Sequence, residues 1–353
     1  MDESVQKVLE AAIMAPSGEN AQPWHFVVHR AHRTIDVFVS ADRDQSLYGW
    51  GNRASYVAIG AALENMRIAA SDIGLSAHIE LLPNPSQELF AARVTLAQGA
   101  SRDPFADQII QRTTNRKPYD KKPLTETEQR VLFDATTGLN GTLKLFTGRA
   151  DIKALAEVGS TNELIMLNNP ILHSFFFSHI NWTKEEDMKK KAGFFIDTLE
   201  LPPPARMGFR VMSNWSRARF LNQYLGFNTF IAKQNAALYA TASAIGVVVS
   251  PNESAHEALA SGMFVERMWL AATAQGLSIQ PLTGVLYWTL RARSGVVEGF
   301  SDKEQASIAR SYEVLDRIAG IGSGTSYFMF RIGHADAPTA RAVRFALADV
   351  TTV

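Results

Sequence analysis

Apolar positions along the chain alternate between two periods. The run Val8, Leu9, Ala11, Ala12, Ile13, Met14 is compatible with a helix over 2–15 that stops at Pro16, because proline disfavours helix at the residue before it. Extended runs follow at 24–29 and at 34–40, where TIDVFVS alternates, and they predict a strand pair. A long helix is predicted over 53–74, strands over 77–82 and 90–97, and a connector over 98–106. Helices are expected at 106–112 and 125–136, the second opened by Thr125 with Glu128 three residues on, a capping box. LKLFTG at 143–148 reads as a strand, 150–235 as mostly helical and irregular, and 236–250 and 255–276 as helices. SIQPLTG makes a short strand and turn, 302–317 a helix, and SYFMFRIG at 326–333 a closing strand.

The pattern repeats once. GAALENMRIAASDIGLS at 60–76 and GMFVERMWLAATAQGLS at 262–278 are identical at eight of 17 positions, among them Gly60/Gly262, Glu64/Glu266 and Met66/Met268. Each copy ends in a glycine suited to a left-handed cap and runs into an apolar extended segment. Two copies are too few for a solenoid, which takes about three. They imply either two related halves in one chain or the convergence of two alanine-rich amphipathic helices.

Composition narrows the chemistry. The chain has 353 residues, 46% of them hydrophobic and 20% charged, with zero formal net charge, which favours neither nucleic acid nor an anionic membrane. It has no cysteine, which excludes disulfides, thiolate catalysis and thiolate metal sites. No apolar run approaches the roughly 18 residues that span a bilayer, and the acidic, amphipathic start lacks a signal-peptide profile. A cytoplasmic protein is the expectation. There is no H-E-x-x-H, no histidine ligand pattern, no G-x-S-x-G, no P-loop and no G-x-G-x-x-G after a strand, so no metal site, hydrolase elbow or Rossmann site is indicated.

The most specific stretch is AAIMAPSGENAQPWHF at 11–26. Ser17, Gly18, Glu19 and Asn20 form a polar turn, whose backbone N–H groups and short side chains suit a planar heteroaromatic ligand. A second motif, Arg112-Thr-Thr-Asn-Arg116, sets two arginines four apart on one face of a helical turn with Thr114 between them, a plausible monophosphate clamp. The pattern A-P-S-x-x-N-x-Q-P-W resembles the flavin-contacting turn of the nitroreductase family, FMN-dependent NAD(P)H oxidoreductases. Arg112, Thr114 and Arg116 resemble that family's FMN phosphate grip. Pro281, Thr283 and Gly284, in QPLTG after the second repeat helix, match a turn that lays backbone amides against the flavin ring near N5. In the tail, Arg341 matches a basic residue that returns to the phosphate, with Arg344 as the alternative.

The order is unusual, because the turn precedes the basic motif by almost a hundred residues. This resembles the Acg-type branch, a shortened N-terminal half (1–103) fused to a fuller C-terminal half (104–353). The resemblance implies an α+β fold with a mixed, largely antiparallel sheet flanked by helices, an intrachain pseudo-dimer, and one complete flavin site per chain. It implies an oxidoreductase in which NAD(P)H, a transient donor, passes hydride to flavin N5 and a small acceptor such as a nitroaromatic or quinone takes the electrons. FMN is the expected cofactor, with no catalytic side chain named. Ser17 and Asn20 would contact the flavin, while Gln22 and Trp24 support the turn. The segment around 160–230, with its aromatic residues and Pro202-Pro-Pro204, reads as a lid-like insert. A closed lid would instead suit a protein that stores or sequesters FMN. A monomer or weak homodimer with a small-molecule partner, no nucleic acid and no membrane is expected.

Overall fold

A computed structural model describes residues 2–29, 33–44 and 47–353. The N-terminal part runs α1 (Glu3–Ala12), β1 (Trp24–His29), β2 (Thr34–Val39), α2 (Arg53–Asp72), β3 (Leu75–Leu81) and β4 (Phe90–Gln98). After a long irregular connection come α3 (Glu126–Ala135), β5 (Thr142–Phe146) and α4 (Arg149–Met166). The stretch expected as a lid-like insert holds α5 (Pro170–Ser178), β6 (Ile180–Asn181), α6 (Lys184–Lys190), β7 (Phe194–Phe195), α7 (Pro203–Met212), α8 (Trp215–Leu225) and, running past its expected end, α9 (Phe227–Tyr239). The chain ends with β8 (Ala244–Ser250), α10 (Ala255–Ala274), β9 (Ser278–Pro281), α11 (Gly284–Arg293), α12 (Asp302–Ala319), β10 (Thr325–Gly333) and β11 (Thr351–Thr352).

The fold is α+β. One sheet has the order β11-β1-β2-β4-β3 and the other β5-β8-β10-β9. Leaving β11 aside, both are four-stranded and antiparallel throughout, and in each the strand after the repeat helix takes the edge beside the strand that follows it. The tail leaves β10, crosses the molecule and adds β11 in parallel to β1.

The two repeat helices, α2 and α10, pack on each other through their glycines. A Cβ on Gly60 would lie 2.0 Å from the carbonyl oxygen of Leu259, and one on Gly262 would lie 2.0 Å from that of Val57. Val57 and Leu259 are equivalent positions of the repeat, so the contact is reciprocal, as at a two-fold axis. Only glycine allows two backbones to approach this closely.

Two of the predicted elements differ. Over 236–250 the helix ends at Tyr239 and Ala244–Ser250 is a strand between β5 and β10, buried at every position but Val249. A short continuous apolar run does not separate a buried helix from a buried strand. Here Ile245 and three successive valines favour the strand. The helix expected at 106–112 is a single 3₁₀ turn, Ala106–Gln108. Beyond it the chain is irregular, with Thr114 in a parallel bridge to Ile279.

Candidate functional site

The Ser17–Trp24 turn leads into β1 and is met by the insert and the C-terminal tail. Glu19, Asn20 and Gln22 all have left-handed backbones, with φ of 46°, 54° and 50°. Three such residues so close together are held by their surroundings. Ser17 Oγ accepts the Gln22 N–H at 2.9 Å. The Gln22 amide donates to the Lys191 carbonyl at 2.7 Å and accepts from the Phe345 N–H at 2.9 Å. Asn20 donates to the carbonyls of Lys191 and Val343, at 3.1 and 2.9 Å, and accepts from Arg344 at 2.8 Å. Trp24 is fully buried beneath. In this structure the Asn20 amide is committed to fastening the insert and the tail to the turn.

Three arginines converge next to it. Arg112 donates to the Met14 carbonyl at 2.8 Å, stands 3.1 Å from Glu266 Oε1 and lies 4.7 Å over the Trp269 ring. Arg341 donates to the Arg112 carbonyl at 2.7 Å. Arg344 donates to the carbonyls of Met14 and Ala15, at 3.3 and 3.1 Å, and its buried Nε has no hydrogen-bond partner. Burial, reinforced by Arg112 and Arg341, pushes the Arg344 guanidinium down to about 9. Glu266 is the carboxylate in ion-pair contact with this cluster; burial pushes it up to about 7, opposed chiefly by Arg112. Surplus guanidinium charge with an unanswered buried donor is the chemistry of an anion site.

Arg116 is not on a helical turn with Arg112. The segment is irregular apart from the single bridge at Thr114, and the two guanidiniums reach different partners. Arg116 donates to the Thr198 carbonyl at 3.0 Å and lies 5.4 Å over the Phe194 ring, both on the insert. Thr114 is half-buried against β9. Pro281 ends that strand, paired with Phe330, and Thr283 caps α11, which Gly284 starts. A Cβ on Gly284 would fall 2.0 Å from Asn162 Oδ1, which also accepts a 2.9 Å hydrogen bond from the Tyr48 hydroxyl.

The place related to the arginine cluster by the repeat is closed. Glu64, equivalent to Glu266, pairs with Arg67 at 2.5 Å and Arg267 at 3.1 Å. Arg267 also reaches Asp103 at 2.8 Å and the Ala135 carbonyl at 2.9 Å. Two guanidiniums meet two carboxylates there, leaving no surplus charge.

A cavity of about 110 Å³ opens beside the turn, its wall including Glu19, Asp44, Phe175, His179, Gly193 and Phe345. It is smaller than the roughly 300 Å³ at which pockets for drug-sized ligands begin. The insert strand borders it, with the Gly193 N–H donating to the Glu19 carbonyl at 2.8 Å. Glu19 itself is half-buried; desolvation, reinforced by Asp44 and opposed by Arg116, pushes its carboxyl up to about 8. Sequence reasoning passed over Glu19, whose only signal was its place inside the turn. Glu266 was visible as a repeat identity, a charged residue shared by two otherwise apolar helix faces. Among the described residues no group of histidine, aspartate and glutamate could hold a metal ion.

No family profile matches the chain. Over 353 residues, 97% of this chain and 48% of the relative, it is 26% identical to an uncharacterized protein of Mycobacterium tuberculosis (strain CDC 1551 / Oshkosh). It is 28% identical over 140 residues, 38% of this chain and 42% of the relative, to the protein of the same organism named "Putative NAD(P)H nitroreductase acg". A third match, 59% identical over 95 residues, covers 21% of this chain and 52% of an Archaeoglobus fulgidus protein named "Putative NADH dehydrogenase/NAD(P)H nitroreductase". The chain thus spans about half the length of the curated relatives it matches. Among solved structures it is similar to the FMN-dependent nitroreductase NfnB of Mycobacterium smegmatis in complex with NADPH. That similarity has a TM-score of 0.41 and 16% identity over 70% of this chain and 97% of that one. By its sequence matches the chain is similar to proteins named as putative NAD(P)H nitroreductases, the acg protein among them.

Proposed function

We propose that the chain is an FMN-dependent NAD(P)H oxidoreductase built as a fused pseudo-dimer with one flavin site. The observation that carries this is the arginine cluster of the C-terminal part meeting the Ser17–Trp24 turn of the N-terminal part. Arg344 Nε is a buried donor with nothing to donate to, and a phosphate would answer it. In this reading Arg112, Arg341 and Arg344 hold the phosphate. Ser17, Thr114 and the Pro281–Gly284 turn face the remainder, and Arg116 draws the insert over it. Asn20 positions the tail. Bound flavin supplies a two-electron centre at N5, and the protein fixes its orientation and excludes water. The acceptor is a small electrophile such as a nitroaromatic or quinone.

A second reading, FMN storage without turnover, draws on a specific observation. The insert fastens onto Asn20, Gln22, Glu19 and Arg116 together. The adjoining cavity is also too small for three fused rings. Flavin entry past these fastenings therefore requires the 191–200 segment to lift and close again, with the flavin lying beside the cavity and not in it. Anaerobic mixing of the flavin-loaded protein with NADH or NADPH decides between the two. Bleaching of flavin absorbance in seconds supports the enzyme, and a spectrum unchanged over an hour supports storage. A chain that retains no FMN at all refutes both.

A further inference from the structure

Resting on that flavin reading, we infer that the cavity beside Glu19 takes a neutral, single-ring aromatic acceptor and that Glu19 gives a proton to its oxygen. The size argues for one ring. An enclosed apolar cavity of about 150 Å³ holds benzene, so 110 Å³ with an open mouth admits at most one ring. The lining argues for an aromatic molecule, since Phe175 and His179 lie 4.1 Å apart at 37° and Phe345 closes another side. The charges argue for a neutral one. With Glu19 protonated, Asp44 and Arg43 set opposite charges in the wall, and Arg43 also donates to the Gln22 carbonyl at 3.1 Å and lies 4.7 Å over the Phe345 ring.

Glu19 is built to hold a proton there. Its carboxyl makes no hydrogen bond or ion pair among the described residues. Asp44 raises its pKa and Arg116 lowers it, and with burial the outcome is a carboxyl still protonated at neutral pH. Tyr48 and Tyr287 feel the Glu19 charge, and both are held in the neutral form by their own burial. The His179 ring hydrogen-bonds the Phe175 carbonyl through Nδ1 at 2.7 Å, which makes that nitrogen the donor. The left-handed backbone of Glu19 is pinned by the Gly193 N–H, and a Cβ on Gly193 would lie 2.3 Å from the His179 carbonyl. The glycine thus lets the insert close the wall against the turn.

The step balances for a quinone. Two electrons and one proton come from NAD(P)H in the proposed reaction. Glu19 breaks its O–H bond and gives the second proton to a quinone oxygen, so both C=O groups become O–H. The Glu19 carboxylate regains a proton from water.

Two measurements on the full chain need no turnover. Infrared titration should show a protonated-carboxyl band that fades near pH 8 and is missing in Glu19→Gln. Phenol, a redox-inert single ring, should bind the wild type and Glu19→Gln, and at least tenfold more weakly to Ala192→Phe, which fills the cavity. In the flavin-loaded protein, Glu19→Gln should slow p-benzoquinone reduction on the order of a hundredfold and abolish its decline above pH 8, with Glu19→Asp restoring that decline. Equal phenol binding by Ala192→Phe overturns the site. A Glu19→Gln rate within twofold of wild type, with the same pH profile, overturns the proton transfer. If no flavin is retained or bleached, the flavin reading falls by itself, while phenol binding and the carboxyl band still decide the pocket.

Discussion

The crossing of α2 and α10 gives the sharpest test of the architecture. In an isolated helix, Gly262→Ala stabilises by about 1 kcal/mol through propensity alone. Here the new methyl would sit 2.0 Å from the Val57 carbonyl oxygen, 2.9 Å from Ala61 N and 2.9 Å from Gly60 Cα. All three are backbone atoms, so no side-chain rotation relieves the clash and the helices must part by roughly an ångström. Overpacking of this kind costs about 1–3 kcal/mol, and a backbone-on-backbone clash belongs at the upper end. After the propensity gain, a net destabilisation of about 2 kcal/mol is expected. The reciprocal contact of Gly60 with the Leu259 carbonyl oxygen, also at 2.0 Å, predicts the same value for Gly60→Ala. The double variant should lose little more than either single one, because the first methyl opens the gap that the second needs. Urea unfolding followed by circular dichroism, with unchanged slopes, reads all three values. A Gly262→Ala protein as stable as wild type or more so, or two single variants differing by more than about 1.5 kcal/mol, would refute the reciprocal packing.

Three further outcomes follow from the site. Arg112→Met leaves Glu266 buried without its ion-pair partner, a loss of about 3–5 kcal/mol at pH 8. The loss should shrink toward pH 5, where Glu266, already raised to about 7, takes up a proton; thermal melts at the two pH values read this. Glu19 titrates near 8 in the fold against 4.5 when free, so its protonated form is the one the fold favours. Its contribution is whole below pH 4.5 and erodes as pH rises to about 8, and the melting temperature of Glu19→Gln should overtake wild type across that window, by an amount moderated because Glu19 is half-buried. Flavin content, read from absorbance against protein concentration, should be one per chain and should collapse in Arg344→Ala; two per chain would show that the Glu64 place also binds.

Much of this was legible in the sequence, for identifiable reasons. The repeat helices were, because glycine and glutamate at equivalent positions on apolar faces have few explanations other than close packing and a buried ion pair. The turn at 16–20 was, because Pro16 and Ser-Gly leave the backbone few alternatives. Three things were not. The strand at Ala244–Ser250 was hidden because complete burial erases alternation. The separate destinations of Arg112 and Arg116 were hidden because a spacing of four reads as one helical face, whereas the segment is irregular and sends Arg112 to Met14 and Glu266 and Arg116 to Thr198. The partners of Asn20 and Gln22 were beyond reach, because Lys191, Val343 and Phe345 lie far off in sequence and contribute only backbone groups, which carry no residue signature.

Why does surplus positive charge gather at the glutamate of one repeat helix and not at that of the other? The answer lies in two substitutions around a shared glutamate. Beside Glu64 the repeat supplies Arg67, and across the helix crossing Arg267; beside Glu266 the equivalent positions are Trp269 and Asn65. Glu64 is thus answered locally by two cations and needs nothing more. Glu266 has an indole and an amide in those places, and its compensation comes from Arg112, drawn in from the connection between β4 and α3 and held over that same indole. Arg112 in turn offers its carbonyl to Arg341 and shares the Met14 carbonyl with Arg344. One glutamate without local cations therefore gathers three guanidiniums onto one side of the molecule, which is more positive charge than it can neutralise. The surplus is what an anionic cofactor would answer, and it arises from the loss of symmetry between the two helices.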